Sequence, residues 1–320
     1  MLMNRRNAVV LVTDDNLLPP ALHLWSRLRS LNNRNDTDVL LFMPDKAISE
    51  MQLLDLTGVI PISSLFMPTI KYSGPSHVTE AACLRIVVPR YLQQNYSKLL
   101  YLDIDVVVSD ASIFRVFDIE LNAPLAATRW HKKSFDPSMV VNGKLQEGAF
   151  AFTRYFNSGV LLINADRYVE AEIDVKAFKF LAEEEGKSEV PDQTALNVAV
   201  GDGWEELSPA MNFRAELLQT FLSKMFPPVV IHYVGEKKSW HTPSISHPLR
   251  SEQIKWLALN GHWHFLVNNI RVKHLLRAIR RRINGKGHST PTYIQPQNRL
   301  IKDYLAVAFV DHWNVQPARL

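Results

Sequence analysis

The run Lys98-Leu-Leu-Tyr-Leu-Asp-Ile-Asp-Val-Val-Val108 is apolar apart from its leading lysine and two aspartates, Asp103 and Asp105. Its leucines and β-branched valines read as a strand in a buried core, which strongly rejects charge. Successive side chains of a strand alternate, so two acids one residue apart point to the same side. The pair must therefore sit at or just past the strand's C-terminal end, facing a cleft. Two hard oxygen ligands side by side make a seat for Mg²⁺ or Mn²⁺ carrying a phosphate.

Similar runs recur along the chain. Residues 8–12, 39–42 and 59–62 read as short strands, and 21–31, 48–56 and most of 76–92 as helices, with Pro89 an expected interruption. The acid pair then lies on roughly the fourth strand. Segments 114–119 and 124–128 continue the pattern. The stretch 130–155 is polar, aromatic and irregular, and reads as a long loop. Strands are expected at 159–163 and 228–234, and helices at 175–185 and 192–200, the last with an acidic first turn after Pro191. This alternation predicts an α/β fold, a mainly parallel sheet with helices on both faces. Ligands of such sheets bind beyond the C-terminal strand ends, where both Thr13-Asp-Asp-Asn16 and the acid pair fall.

At 320 residues with 47% apolar content, the chain can hold one large globular domain with an extension. Its single cysteine, Cys83, allows no intrachain disulfide and fits a reducing compartment. The first residues lack the apolar segment of a signal peptide, so a cytoplasmic protein is expected. The net charge of +4 is unevenly placed: ten of the 36 basic residues lie between Glu252 and Asp303, where no acidic residue occurs. We therefore divide the chain at 250, with a basic extension over 251–320. Within it, 271–283 carries apolar residues at 272, 275, 276, 279 and 283, one helical stripe with Arg and Lys on the other faces. That pattern suits a helix lying on an anionic membrane surface, such as the inner face of the plasma membrane. It equally suits a helix packed on the domain. No stacking platform or RNA motif accompanies it, so no nucleic-acid partner is expected.

An Asp-X-Asp pair is not specific to metal sites. It could be a solvated turn, or the nucleophile site of a haloacid-dehalogenase-type phosphatase. In those phosphatases the pair lies on an early strand and small residues follow it, whereas here Val106-Val-Val108 follows. A second candidate is Val229-Val-Ile-His-Tyr-Val-Gly-Glu-Lys-Lys-Ser-Trp240. His232 emerges from an apolar strand, as a structural residue or as a ligand. Gly235 allows close backbone approach, and Lys238 could reach a phosphate. An imidazole with two carboxylates suits Mn²⁺ better than Ca²⁺.

Taken together, these segments resemble glycosyltransferase family 8, the retaining GT-A-fold family that includes bacterial lipopolysaccharide glucosyl- and galactosyltransferases and glycogenin. Tyr101-Leu-Asp-Ile-Asp-Val-Val-Val108 is similar to the family's metal motif, and Tyr155-Phe-Asn-Ser-Gly159 to its Phe-Asn-(Ala/Ser)-Gly segment. Pro191-Asp-Gln193 resembles its Asp-Gln helix start, and His232-Tyr-Val-Gly-Glu-Lys-Lys-Ser-Trp240 its His-Tyr-X-Gly-X-X-Lys-Pro-Trp. Thr13-Asp-Asp-Asn16 resembles the nucleotide-binding end of its first strand. The matches run in the family's order over residues 8 to about 245.

The resemblance implies a metal-dependent transfer of a hexose, UDP-glucose or UDP-galactose being the expected donors, to a glycan or glycolipid such as lipopolysaccharide. Asp103, Asp105 and His232 would bind Mn²⁺ or Mg²⁺. Asp14 and Asn16 would hold the base and ribose of the UDP-sugar, and Arg85, Gly235 and Lys238 its diphosphate. Asn157, Asp192 and Gln193 would face the donor sugar. Several of these residues also suit plainer structural roles: Asp14 as a turn residue, Asn157 as a turn cap, Asp192 as a helix N-terminal charge, and Arg85 as a surface partner of Glu80. Ser239 stands where the family has Pro. Thr128-Arg-Trp-His131 lacks an acid that many members carry, so sugar specificity does not transfer. A phosphatase, or a sugar-nucleotide or membrane-binding module without catalysis, is the alternative.

Overall fold

The computed structural model describes residues 6–50, 55–66, 80–130, 154–183, 190–235, 237–241, 247–270 and 272. The expected loop at 130–155 and the basic helix at 271–283 lie almost wholly outside the described residues.

In chain order the elements are β1 (Arg6–Val12), α1 (Leu18–Leu31), β2 (Thr37–Met43), α2 (Asp45–Glu50), β3 (Val59–Pro61), α3 (Glu80–Leu92), β4 (Tyr96–Leu102) and β5 (Val106–Val108). Then follow β6 (Leu125–Arg129), β7 (Phe156–Asn164), α4 (Ala165–Glu170), α5 (Ile173–Glu183), α6 (Pro191–Val200), β8 (Glu205–Glu206) and β9 (Phe213–Arg214). The last are α7 (Leu222–Met225), β10 (Val230–His232), α8 (Pro248–Leu259) and α9 (Trp263–Asn268). Seven strands form one sheet in the order β3-β2-β1-β4-β7-β6-β8. β1 runs parallel to β2 and β4, and β2 to β3, while β7 is antiparallel to both β4 and β6. The sheet is thus the expected mainly parallel one. A second sheet, β5-β10-β9, stands beside it.

The period of two in β1 explains the layering. Val9 and Leu11 face a core built with Leu24 and Leu28 of α1, and Ala8, Val10 and Val12 face one built with Leu84, Ile86 and Val88 of α3. Both faces of the sheet are covered, and each fully buried Val or Leu contributes about 1.5–3 kcal/mol.

Several boundaries differ from expectation. α1 begins at Leu18, because Pro19 and Pro20 occupy its first turn, where an N–H has no intrahelical acceptor anyway. α2 starts at Asp45, earlier than expected, and residues 55 and 56 are not helical. Pro89 does not interrupt α3 but sits in its last turn, where only one intrahelical bond is forgone. Residues 114–119 are not a strand; most of them belong to a 3-10 helix, Ala111–Asp118. α8 crosses residue 250 and packs on α1, with Leu257 fully buried.

The most consequential difference concerns the run 98–108. It is two strands in two sheets, β4 and β5, broken at Asp103-Ile-Asp105. The Asp103 N–H bonds Gly159 O of β7 at 2.8 Å, and Asp105 O accepts Tyr233 N–H beyond β10 at 3.0 Å. The acids occupy the step between sheets because neither sheet's interior could hold them.

Candidate active site

That step brings three side chains together. Asp103, Asp105 and His232 each offer a ligand atom, and these atoms lie within 4.8 Å of one another. They line a cavity of about 330 Å³, together with Asp14, Arg85, Asn157, Asp192, Gln193, Gly235 and Lys238. Asn16 is not among the lining residues; it is exposed on the short 3-10 turn Asp15–Leu17. Asp14 caps that turn, its Oδ1 accepting Leu17 N–H at 3.0 Å, and also faces the cavity.

Arg85 is buried, not a surface residue. Its Nη2 lies 2.9 Å from Asp103 Oδ1 and its Nε 3.1 Å from Asp192 Oδ2. Its Nη1 donates to Ser158 Oγ at 3.1 Å, and the guanidinium stacks on the Tyr101 ring 5.0 Å away. Burial disfavours the Arg85 charge, but Asp103, Tyr101 and Asp192 outweigh it and hold the guanidinium protonated. Burial pushes the Tyr101 phenol well up, so it stays protonated and donates to Asp103 Oδ1 at 3.0 Å. Burial raises the Asp192 carboxyl above the usual carboxylate range; Arg85 opposes this and Asp103 adds to it.

Asp105 experiences the reverse balance. Burial would raise its carboxyl, but Lys238 and His232 outweigh that and hold it well below the usual range. Lys238 Nζ bonds Asp105 Oδ2 directly. Gly235, in the turn between β10 and Lys238, has φ +79°, a left-handed backbone that side chains rarely adopt.

Buried amides make up another wall. Asn157 Nδ2 donates to Gln193 Oε1 at 2.9 Å, and Gln193 Nε2 to the Tyr155 hydroxyl at 3.2 Å. Main-chain N–H groups of Ser158 and Gly159 donate to Gln193 Oε1 and Asn157 Oδ1, each at 3.1 Å. Asn212 Nδ2 donates to Asn157 Oδ1 at 2.8 Å, and Asn212 Oδ1 lies 2.8 Å from His232 Nδ1. Asn197 pins α6 to β7: its side chain bonds both the N–H and the C=O of Phe156. Sequence reasoning missed Asn212 as a site residue. Its only signal was an Asn inside the apolar stretch Ala210-Met-Asn-Phe213, which makes it a buried polar group in need of partners.

Gly159 makes the metal-ligand arrangement possible. A Cβ there would lie 2.3 Å from His232 Cε1 and 2.8 Å from Asp103 Oδ2. The residues also suit a divalent cation electrostatically. Asp105 Oδ1 is buried with no hydrogen-bond donor, although His232 Nε2 lies 3.1 Å away. Four carboxylates line the cavity against two side-chain cations, Arg85 and Lys238, leaving positive charge in deficit.

A family model described as Glycosyl transferase family 8 matches residues 8–243. General stress protein A of Bacillus subtilis is 25% identical over 279 residues, covering 78% of this chain and 92% of that protein. A lipopolysaccharide 1,3-galactosyltransferase of Salmonella typhimurium is 25% identical over 228 residues, 66% of this chain, which spans only 64% of that enzyme's length. Among solved structures, the galactosyltransferase LgtC in complex with donor and acceptor sugar analogs superimposes with a TM-score of 0.58 at 19% identity, covering 78% of this chain and 95% of that one. That likeness establishes a shared fold. These matches do not favour the phosphatase alternative.

Proposed function

Because the chain belongs to glycosyltransferase family 8, we propose that it moves a hexose from a UDP-sugar, UDP-glucose or UDP-galactose, to a glycan or glycolipid, retaining the anomeric configuration in an α-linkage. The carrying observation is the convergence of Asp103, Asp105 and His232 on one point of a polar cavity. The Salmonella relative supports galactose or a related hexose as the sugar and lipopolysaccharide as the acceptor class. We assign residues 1–250 to catalysis.

Asp103, Asp105 and His232 would hold Mn²⁺ or Mg²⁺, whose chemistry here is Lewis-acid stabilisation of the departing diphosphate. Lys238 adds a second positive charge for that leaving group, released from Asp105 as charge builds on the phosphate. Gly235 gives the diphosphate close access to the backbone. Asp14, at the end of β1, would hold the ribose or base, and Asn16 would reach the base from the exposed turn. Arg85 is engaged by Asp103 and Asp192, so it acts by fixing those carboxylates as well as by adding charge. Asp192 and Asn157 would bind sugar hydroxyls. Gln193 Oε1 already accepts two hydrogen bonds. It is therefore poorly placed to attack carbon, and its role is to stabilise the cationic sugar. Retention then follows from attack by the acceptor hydroxyl on the face the diphosphate leaves. The acceptor oxygen bonds the anomeric carbon, the carbon–diphosphate oxygen bond breaks, and a diphosphate oxygen takes the proton.

We also propose that the extension 251–320 brings the enzyme to the cytoplasmic face of an anionic membrane. Trp263 and Val267, each 60% exposed, and Ile270 lie just before the basic stretch 271–283. Among the described residues no helix is long and apolar enough to cross a membrane. Flotation with anionic vesicles that is lost at high salt is expected; the absence of salt-sensitive flotation would remove the membrane role.

The transfer itself is tested by UDP release from a panel of UDP-sugars with Mn²⁺. Release from one hexose donor, slow without acceptor and faster with a matching glycan, is expected. No release from any UDP-sugar would overturn the reading.

A further inference from the structure

We propose that Asn212 is a positioning residue that decides which nitrogen of His232 carries the proton, and so keeps Nε2 open as a metal ligand. The inference rests on the metal-dependent function proposed for this cavity and adds a residue to it. A neutral imidazole has one N–H and one lone pair, and only the lone pair can bind a metal.

The direction of every bond follows from the main chain. A backbone N–H can only donate. Ser158 N–H therefore requires an oxygen from Gln193, and Gly159 N–H requires one from Asn157, each at 3.1 Å. With Gln193 Oε1 so placed, the Asn157 atom 2.9 Å from it is the donor Nδ2. Asn157 Oδ1 then faces Asn212 at 2.8 Å and must meet an N–H donor, so that atom is Nδ2. The remaining Asn212 atom, 2.8 Å from His232 Nδ1, is the oxygen. His232 must accordingly donate from Nδ1, and in the neutral ring its Nε2 then carries the lone pair. Turning Gln193 or Asn157 over would set two N–H donors against each other, and turning Asn212 over would set its oxygen against Asn157 Oδ1, two acceptors 2.8 Å apart.

One further observation agrees. Asn157, Asn212, Gln193 and His232 are all at most 7% exposed, so solvent does not stand in for a missing partner. With the proton on Nε2 instead, the ring would donate to Asp105 Oδ1 and occupy two metal ligands with each other. The amide chain also links the residues assigned to the sugar, Asn157 and Gln193, to the residues assigned to the ion.

The test combines two readouts on the full chain. The first is the long-range ¹H–¹⁵N pattern of ¹⁵N-histidine-labelled protein at mildly alkaline pH without metal, with His232 identified by its loss in His232→Gln. The second is Mn²⁺ affinity by electron paramagnetic resonance. Wild type should show His232 protonated at Nδ1. Asn212→Leu should move the pattern toward Nε2–H and weaken Mn²⁺ about 10–100-fold. Asn212→Asp, which still accepts from Nδ1 although it loses the donation to Asn157 Oδ1, should keep the wild-type ring pattern and bind Mn²⁺ more tightly than Asn212→Leu. An Nε2–H pattern in wild type, or wild-type affinity in Asn212→Leu, would overturn the proposal. If Asn212→Leu does not fold, the wild-type spectrum decides. Wild type that binds no Mn²⁺ would refute the metal reading instead, while the spectrum still judges Asn212.

Discussion

On one wall of the cavity Arg85 pairs with Asp103 and Lys238 with Asp105 by charge; on the other, Asn157 and Gln193 hold each other through neutral amides, with Asn212 bonded behind Asn157. The charged wall is exchangeable. An arriving cation or diphosphate can take a partner from Asp105 or Lys238 and leave compensated charge behind. The amide wall has no such freedom, because each amide is oriented by another and ultimately by main-chain N–H groups. Under the proposed function, the ionic wall would meet the charged leaving group and the amide wall would present fixed directions to the sugar.

Variants should separate the two. Replacing Asp103 and Asp105 together by Asn removes the ionic wall's ligands. Metal-dependent UDP release should fall by about a thousand-fold or more, and the melting temperature should also drop, because buried Arg85 loses Asp103 and keeps only Asp192 as its carboxylate. Retained release in the double variant would break the distinction. Gly159→Ala lies where the walls meet, and its Cβ must displace His232 or Asp103. Mn²⁺ affinity should drop at least ~100-fold with the fold kept, as read by calorimetry and circular dichroism. Wild-type affinity would show that the ligands tolerate displacement.

Gln193→Ala strikes the amide wall. It leaves Ser158 N–H and Asn157 Nδ2 without their acceptor, at ~1–3 kcal/mol each. A lower melting temperature is expected, with transfer reduced and Mn²⁺ binding changed only a few-fold. An unchanged melting temperature would mean the amides are not coupled. The smallest effect concerns pH. The Asp192 carboxyl is raised by burial, and its ionised form is the partner of Arg85. Activity should therefore decline on acidification at a higher pH than an ordinary carboxylate would give. Asp192→Asn should be slower throughout and lose that limb; an identical limb in the variant would assign it to another group.

Much of the architecture was legible because apolar runs of period two and helical stripes are local signals. β1, β2, β7 and α6 appear close to where hydrophobic pattern and Pro191 placed them. The acid pair and His232 were legible too, because charge or imidazole in an apolar run has few places to go. What was not legible depends on contacts across the chain. The break of 98–108 into β4 and β5 is set by pairing with β7 and β10, more than fifty residues downstream. Arg85 looked free to grip a ligand because Asp192, its partner, lies on another helix. Asn212 carries no local pattern at all; only the fold sets it against His232.

The central claim is that a divalent ion and a nucleotide diphosphate share this cavity. Calorimetric titration of UDP into the protein with and without Mn²⁺ tests it most directly. UDP should bind at least about tenfold more tightly with Mn²⁺, a coupling of ~1.4 kcal/mol or more, and the gain should vanish in Asp105→Asn. Equal UDP affinity with and without the ion would contradict the account.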